Sequence, residues 1–271
     1  PQLPSGLKSL QCSQSGVNAP QHLPQLPNGL KYLYCTMFQI DSLPTPLPDS
    51  LISLSCGMNQ IPILPSLPNG LKNLECNWNI FTNLPPLPSS LQTLYCNTSN
   101  SLTALPSLPN GLKELKVSST LISCIPSLPN SLTYIDILNN PISCLPNYLP
   151  IMSDPYFSYP LCTPNNTLTN PQGCERADGI FGTVYFDTNT NCIKDTIDTK
   201  LNNINFKLLD SNNQYLNQTN SFSLGMYNFI SPTGNYTVVL DTLNIPYTSQ
   251  CNNPGIDTTI QLTTINPIAE N

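Results

Sequence analysis

Charged side chains are scarce in this chain. Of its 271 residues only 9% are Asp, Glu, Lys or Arg, against about 25% in an average soluble domain. Surface helices depend on Glu and Lys, so the composition argues against long helices. It also excludes a nucleic-acid binder, because neutralising phosphates requires clustered Lys and Arg, whereas nine basic residues here face fifteen acidic ones.

Histidine is rarer still, since His22 is the only one. A single imidazole argues against a Ser-His-Asp triad, against zinc sites with several His ligands and against most acid–base pairs built on His. Because no pair of carboxylates is fixed by spacing either, we expect no enzymatic activity within these residues.

Long apolar runs are also missing. The chain has neither a membrane-spanning apolar stretch nor a charged N-terminal segment followed by an apolar one, and it begins without Met. We therefore expect no signal peptide and no membrane insertion, and we expect the chain to be a piece of a larger protein.

What the sequence has in abundance is an internal repeat within residues 1–146. The pattern Leu-Pro-x-Leu-Pro-x-x-Leu-x-x-Leu-x-Cys occurs at 23–35, 64–76 and 84–96, and at 105–117 with Val in place of Cys. The equivalent last positions are Cys12, Cys35, Cys56, Cys76, Cys96, Val117 and Ile137, at spacings of 20 to 23 residues. Seven such units predict a solenoid.

Each unit predicts one short parallel strand. The two Leu and the Cys of Leu-x-x-Leu-x-Cys point inward, and Asn59, Asn79 and Asn140 suit a buried amide ladder. The Leu-Pro-x-Leu-Pro return favours an extended, non-helical convex side. This pattern matches the leucine-rich repeat, and it resembles the shortest bacterial subclass, the Leu-Pro-x-Leu-Pro class of secreted effectors and surface proteins. We interpret the five inward Cys as packing residues, because Val117 and Ile137 take the same position.

The residues between the inward ones predict the binding surface. They face the concave side of such a solenoid, where exposed aromatic and Met side chains are typical of protein or glycan recognition. The candidate ligand-binding residues are Tyr32, Tyr34, Met37, Met58, Trp78, Tyr95 and Tyr134.

Residues 147–174 predict a Cys-containing cap over the end of the core. Cys124 and Cys144 occupy the same slot of adjacent repeats, so their backbones should lie about 5 Å apart, within disulfide range. The other non-ladder cysteines are Cys162, Cys174, Cys192 and Cys251. Of the many pairings that six cysteines allow, we favour Cys124–Cys144, Cys162–Cys174 and Cys192–Cys251, which implies an oxidising, extracellular location. Six reduced cysteines in a cytosolic protein are the alternative.

After a linker at 175–178, residues 179–271 alternate apolar and polar side chains in short runs separated by Asn, Gly and Pro, which predicts an antiparallel β-sandwich. Its segment 187–198 has the oxygen-donor spacing of a calcium loop. The expected Ca²⁺ ligands are Asp187, Asn189, Asn191, the Ile193 carbonyl, Asp195 and Asp198. Cys192 stands where such loops have Gly, and a merely polar turn is the alternative.

This loop, with the Gly-Thr-Val-Tyr-Phe before it and the Gly-x-Tyr motifs after it, resembles the calcium-binding B-type, prealbumin-like modules of bacterial adhesins. The resemblance implies a calcium-stiffened spacer. The whole arrangement resembles secreted surface proteins of the Bacteroidetes, many of them exported by the type IX system. Asp-Ser and Asp-Thr triplets resemble O-glycosylation acceptors of that phylum, which implies candidate sites at Ser42, Ser50, Thr242 and Thr258.

These observations predict an extracellular, non-enzymatic binding and adhesion module that continues into a longer protein. The alternative is a structural segment of a type IX substrate whose enzyme or motility function lies elsewhere in the chain, with the secretion machinery as its partner. A third hypothesis, a translocated effector, fits poorly with the non-ladder cysteines and the calcium loop, because host cytosol is reducing and low in calcium.

Overall fold

In the computed structural model the chain divides into two compact units, Pro1–Arg176 and Ala177–Asn271. The structure describes residues 2–12, 22–37, 39–152, 155–162, 168, 170–177, 179–186, 199–222, 225–230, 234–240 and 257–261. In these ranges no helix has the length and hydropathy needed to cross a bilayer.

The first unit is a solenoid in which each repeat contributes one short parallel strand. The strands are β1 (Ser9–Gln11), β2 (Tyr32–Tyr34), β3 (Ser53–Ser55), β4 (Asn73–Glu75), β5 (Thr93–Tyr95), β6 (Glu114–Lys116) and β7 (Tyr134–Asp136), and they are hydrogen-bonded in chain order. Neighbours pair residue for residue, so Leu33 lies beside Leu54. We number the repeats after their strands. The fold class predicted from the repeat is confirmed.

The core of this solenoid is a stack of equivalent side chains. Leu54, in the middle of β3, and Cys56, just after it, are fully buried, as are Leu74 and Cys76 one repeat later. The burial removes every second side chain of the strand from water, which is the main favourable term in folding. The remaining strand residues are therefore free to face outward.

The predicted asparagine ladder is present. The Asn79 side-chain amide donates to the carbonyls of Cys56 and Cys76, both at 3.0 Å, and its Oδ1 accepts from the Ile61 N–H at 3.1 Å. Asn59 and Asn140 make the equivalent bonds. In repeat 5 the slot holds Ser99, whose buried Oγ has no hydrogen-bond partner among the described residues.

A second hydrogen-bond pattern alternates from repeat 2 to repeat 7. Ser90 donates to the Asn69 and Leu71 carbonyls of the preceding repeat, at 2.7 and 2.6 Å. Ser50 bonds to its preceding repeat in the same way, and Ser131 donates to the Leu112 carbonyl. The intervening repeats carry Gly29, Gly70 and Gly111 at this position. Each serine repeat is therefore clamped to the glycine repeat before it.

The cap uses a different disulfide pairing from the predicted one. The observed bonds are Cys124–Cys174 and Cys144–Cys162, so the predicted Cys124–Cys144 and Cys162–Cys174 pairs are wrong. The cap chain folds back onto the last repeat, where the Leu145 N–H donates to the Pro160 carbonyl and the Cys162 N–H donates to the Leu145 carbonyl, both at 2.8 Å. Each repeat cysteine thus receives a partner from the cap rather than from the adjacent repeat.

The ladder cysteines are also not all packing residues. Cys76 and Cys96 form a disulfide with a Cα–Cα distance of 4.9 Å, which corrects the interpretation of these two as unpaired small hydrophobes. Cys35 and Cys56 are buried free thiols, and Cys12 is a partly buried one. Burial raises the pKa of the Cys35 thiol to about 12, so this thiol packs as a neutral apolar group.

The second unit consists of antiparallel sheets around a core of its own. A four-stranded sheet has the order β12-β11-β14-β15, and β8 pairs with β13 and β9 with β10. The bounds are β8 (Gly179–Thr183), β9 (Tyr185–Phe186), β10 (Thr199–Lys200), β11 (Asn205–Asp210), β12 (Tyr215–Asn220), β13 (Met226–Ile230), β14 (Asn235–Leu240) and β15 (Asp257–Gln261). Ile180, Phe206, Phe229 and Val238 pack together between the sheets. The antiparallel region is confirmed, whereas the exposed strand β12 was not predicted.

Several predicted residues lie outside the described ranges. These are the calcium ligands Asp187, Asn189, Asn191, Ile193, Asp195 and Asp198, the cysteines Cys192 and Cys251, and Thr242. Thr258 lies in β15, of which only the backbone is described.

Candidate functional site

The outward-facing residues of the solenoid strands form the candidate site. The first and third residues of each strand face away from the core. The residue that lies three positions beyond the last strand residue belongs to the same surface. Most of the predicted ligand-binding side chains are exposed, from 38% for Tyr32 to 57% for Met37, with Trp78 at 52%. Six residues of the predicted set meet the expectation of exposure: Tyr32, Tyr34, Met37, Met58, Trp78 and Tyr134.

Five of these residues lie in three consecutive repeats. Tyr32 and Tyr34 lie on β2, and Met37, Met58 and Trp78 occupy the same position of repeats 2, 3 and 4. We call these five residues the apolar band. Tyr134 lies on β7, three strands beyond β4, so it belongs to the same face but not to the band.

The backbone at one margin of the band adopts an unusual conformation. Met37, Met58 and Trp78 have φ values of 59°, 55° and 56°, and Thr98, Ser119 and Asn139 continue the row. Left-handed φ costs roughly 1 kcal/mol for residues other than Gly, with Asn the least affected. The turn is a property of the repeat, because the N–H of Met58 donates to the Asn77 carbonyl at 2.8 Å and that of Ser119 to the Leu138 carbonyl at 2.9 Å.

Sequence reasoning placed these side chains on the face but missed their backbone geometry. The one signal in the sequence was Asn139, a residue type that tolerates left-handed φ. The other repeats have Met, Trp, Thr or Ser at this position, and these residue types do not indicate a left-handed turn. Met37, Met58 and Trp78 combine an exposed apolar side chain with a strained backbone, and neither feature stabilises the fold.

The other half of the face is polar and internally hydrogen-bonded. Tyr95, predicted as a ligand-binding residue, is half-buried and its phenol donates to the Glu114 carboxylate on the next strand. This bond raises the pKa of Tyr95 to about 12. Ser118 likewise donates to Asp136 at 2.8 Å. Tyr95 therefore belongs to a polar network rather than to the apolar band.

Lysines border the face where the strands begin. Lys8, Lys31, Lys72 and Lys113 each precede the first residue of a strand, in repeats 1, 2, 4 and 6, and all four are exposed. None of the four forms an ion pair with another residue of the described ranges. Their ammonium groups are consequently available to a partner.

The single histidine does not form a catalytic site. His22 Nδ1 lies 3.0 Å from Asp41 Oδ1 and 3.3 Å from Ser42 Oγ. A Ser-His-Asp triad needs the serine and the carboxylate on opposite ring nitrogens, whereas both partners here share one nitrogen. The cluster joins two neighbouring repeats through the His22–Ser42 bridge.

The candidate glycosylation sites Ser42 and Ser50 both use their hydroxyls. Ser42 donates to Asp41 at 2.9 Å and is exposed. Ser50 is half-buried and bonds to two carbonyls of the preceding repeat, at 2.7 and 2.6 Å from Asn28 and Leu30. A glycan on Ser50 requires both bonds to break.

One group of side chains in the described residues has the composition of a metal site. The sulfur atoms of Cys144, Cys162 and Cys174 lie within 4.8 Å of one another. All three are engaged in disulfides, and a thiolate, not a disulfide, is the metal ligand. The group is therefore a structural part of the cap.

Comparisons with known proteins give matches to solved structures. YopM from Yersinia enterocolitica WA-314 is 32% identical over 56% of this chain and 37% of that chain, with a TM-score of 0.46. A Shigella effector LRR domain is 33% identical over 41% of this chain and 49% of its own, with a TM-score of 0.38. YopM from Yersinia pestis, described as a leucine-rich effector protein, is 29% identical over 56% and 50%, with a TM-score of 0.45. The chain thus spans half or less of each of these structures.

No protein-family model and no curated protein matches the chain. The assignment of the repeat fold rests on the strand register and the asparagine ladder described above.

Proposed function

We propose that this chain is a protein-binding module that holds its partner on the apolar band. The observation that carries the proposal is the row Met37, Met58 and Trp78, in which three consecutive repeats expose a large apolar side chain from a left-handed backbone position. Exposed apolar clusters on a rigid scaffold favour association.

The chemistry of the band favours a polypeptide over a glycan. Two of its five members are Met, whose flexible thioether adapts to irregular apolar side chains, and the tyrosines add rigid contact area at low entropy cost. Sugars need several fixed hydrogen-bond donors and acceptors beside the aromatic ring, but the nearby carboxylates already bond to Ser55, Tyr95 and Ser118.

Panning a random peptide display library on the immobilised chain tests the proposal. Enriched peptides should lose at least about thirtyfold in affinity towards Trp78→Ala, since truncation of a central aromatic contact costs about 2 kcal/mol or more. Ile63→Ser, which changes a 76% exposed apolar residue outside the band, is the matched control and should leave affinity unchanged. No enrichment, or equal loss with both variants, would overturn the proposal.

We further propose that the module works outside the cell, with the second unit as a calcium-stiffened spacer. The six cysteines paired in the described residues support an oxidising compartment, in which a translocated effector would not act. The calcium loop 187–198 is supported by its sequence alone. A calcium-dependent rise in melting temperature that Asp187→Ala abolishes would support the spacer, and an unchanged melting temperature would remove it.

Origin in a Bacteroidetes surface protein, export by the type IX machinery and O-glycosylation at Ser42, Ser50, Thr242 or Thr258 belong to the same proposal. Protease shaving of intact native cells tests the location, because a surface module releases its peptides without lysis. The mass of the native protein tests glycosylation, since a mass equal to the bare polypeptide leaves no room for glycans.

A further inference from the structure

Three free thiols lie in a row along the first three repeats. Cys12, Cys35 and Cys56 are the free cysteines of the described residues, and they occupy the ladder position directly after β1, β2 and β3. We call these three residues the thiol row. Cys35 and Cys56 have no exposed surface, whereas Cys12 is only partly buried. The row therefore runs from a thiol that solvent can reach into the core of the solenoid.

The bonded pair of the ladder shows which backbone arrangement allows a disulfide at this position. The Cys76 N–H donates to the carbonyl of Tyr95, the residue before Cys96, at 2.7 Å. The Cα atoms of the two cysteines are 4.9 Å apart, within the range that a disulfide joins. Parallel strands in register keep one separation, so two ladder cysteines that share this hydrogen bond have the same backbone spacing.

The thiol row contains this arrangement twice. The Cys12 N–H donates to the Tyr34 carbonyl at 2.7 Å, and the Cys35 N–H donates to the Ser55 carbonyl at 2.8 Å. The Cys35 side chain is directed towards the next repeat, since its Sγ donates to the same Ser55 carbonyl at 3.6 Å. The backbone thus allows Cys35 to form a disulfide with Cys12 on one side or with Cys56 on the other.

The three thiols differ in their access to a reagent. Burial raises the pKa of each of them, that of Cys35 to about 12, and the attacking species in disulfide exchange is a thiolate. A small disulfide in solution can contact Cys12, but in the folded protein it cannot contact the two fully buried side chains. Oxidation of the buried thiols therefore begins at Cys12 or requires the core to open.

We propose that Cys12 is a modification site for small-molecule disulfides such as glutathione disulfide, and that the thiol row relays the oxidation into the core. The Cys12 thiolate attacks the reagent and forms a mixed disulfide, while one glutathione thiolate leaves and takes up the proton that Cys12 lost. The Cys35 thiolate then attacks the Cys12 sulfur, which releases the second glutathione and forms a Cys12–Cys35 disulfide. Attack of Cys56 on the Cys35 sulfur moves the bond to Cys35–Cys56 and restores the Cys12 thiol.

The relay oxidises two protein thiols and reduces one glutathione disulfide to two glutathione molecules. Either product joins repeat 2 covalently to a neighbouring repeat, and repeat 2 carries three of the five residues of the apolar band. The inference does not depend on a partner at the apolar band, because its steps involve the thiol row and the reagent alone.

Treatment of the folded full chain with glutathione disulfide at about pH 8, followed by peptide mapping, tests the relay. After acid quenching, alkylation and peptic digestion, we expect Cys35 in a linked peptide with Cys12 or with Cys56. In Cys35→Val, Cys12 should retain a glutathionyl group, because the thiol that resolves the mixed disulfide is missing. Val is the matched substitution, since Val117 occupies the same ladder position in repeat 6.

The variant Cys12→Val tests the point of entry. We expect it to slow formation of the Cys35–Cys56 disulfide by at least about tenfold, because opening of the core is then the remaining route. Equal rates in Cys12→Val and the unaltered protein would overturn the proposal. In the unaltered protein alone, a glutathionyl group that persists on Cys12, or no reaction at any of the three thiols, would also overturn it.

Discussion

The phenol of Tyr95 donates a hydrogen bond to the carboxylate of Glu114 one strand further along the outward face of the solenoid strands, and this bond is the main reason why the pKa of Tyr95 rises to about 12. Only the neutral phenol can donate. The bond therefore contributes stability below pH 10, the ordinary range of tyrosine, and the contribution is lost as the pH rises towards 12.

Replacement of Glu114 by Gln should lower the pKa of Tyr95 towards the usual range of tyrosine. We expect the tyrosinate absorbance of Glu114→Gln to rise at lower pH than that of the unaltered protein, because the acceptor carboxylate and its charge are gone. Glu75→Gln is the control, since Glu75 makes the smallest of the contributions to the Tyr95 pKa. Identical curves for the two variants would contradict the assigned partner.

The asparagine ladder predicts that substitutions at equivalent positions of two repeats reduce stability by different amounts. Asn79→Ala removes four hydrogen bonds and leaves buried backbone groups unsatisfied, so we expect a loss of about 3 kcal/mol in the free energy of unfolding. Ser99→Ala should cost about nothing, because its buried Oγ has no partner in the described residues. Urea denaturation of both variants measures the contrast, and equal losses would show that the slot acts through packing alone.

The serine clamp predicts a stabilising substitution. An added Cβ at Gly70 meets the Asp49 carbonyl at an ordinary 3.7 Å, so a serine there has room to donate to the preceding repeat as Ser90 does. We expect Gly70→Ser to raise the free energy of unfolding by about 1 kcal/mol, through the new bond and the restricted unfolded chain. Gly70→Ala isolates the second effect, and a serine no more stable than the alanine would argue against the clamp.

Peptic mapping at low pH, where thiol exchange is slow, should recover the observed disulfides. We expect linked peptides that contain Cys124 with Cys174, Cys144 with Cys162, and Cys76 with Cys96. Cys12, Cys35 and Cys56 should carry the label of an alkylating reagent added after denaturation. A linked peptide that contains Cys124 and Cys144 would contradict the observed pairing and support the one expected from the repeat spacing.

The sequence predicted what depends on periodicity. The inward Leu and Cys positions, the parallel register and the bonds of Asn59, Asn79 and Asn140 all repeat at a fixed spacing, so one copy determines the others. The exposure of Met37, Met58 and Trp78 was predicted from the same periodicity, because the three residues occupy equivalent positions of consecutive repeats.

The features that the sequence did not predict depend on contacts between non-equivalent segments. The spacing of Cys124 and Cys144 placed both in disulfide range, but their partners come from the cap, whose path no periodicity describes. The Tyr95–Glu114 bond joins different columns of the face in the same way. Strand β12 was missed because Tyr215–Asn220 is exposed along almost its whole length and lacks the alternation that identifies strands.

The serine clamp also sets the step in which such an array can grow or shrink. From repeat 2 to repeat 7, Ser50, Ser90 and Ser131 each bond to a glycine-bearing repeat before them, and Lys31, Lys72 and Lys113 follow the same alternation. Loss of one repeat from the interior of this run would bring two repeats of one kind together, omit one clamp and change the spacing of the lysines. Duplications that preserve both stability and charge spacing must therefore copy two repeats at once.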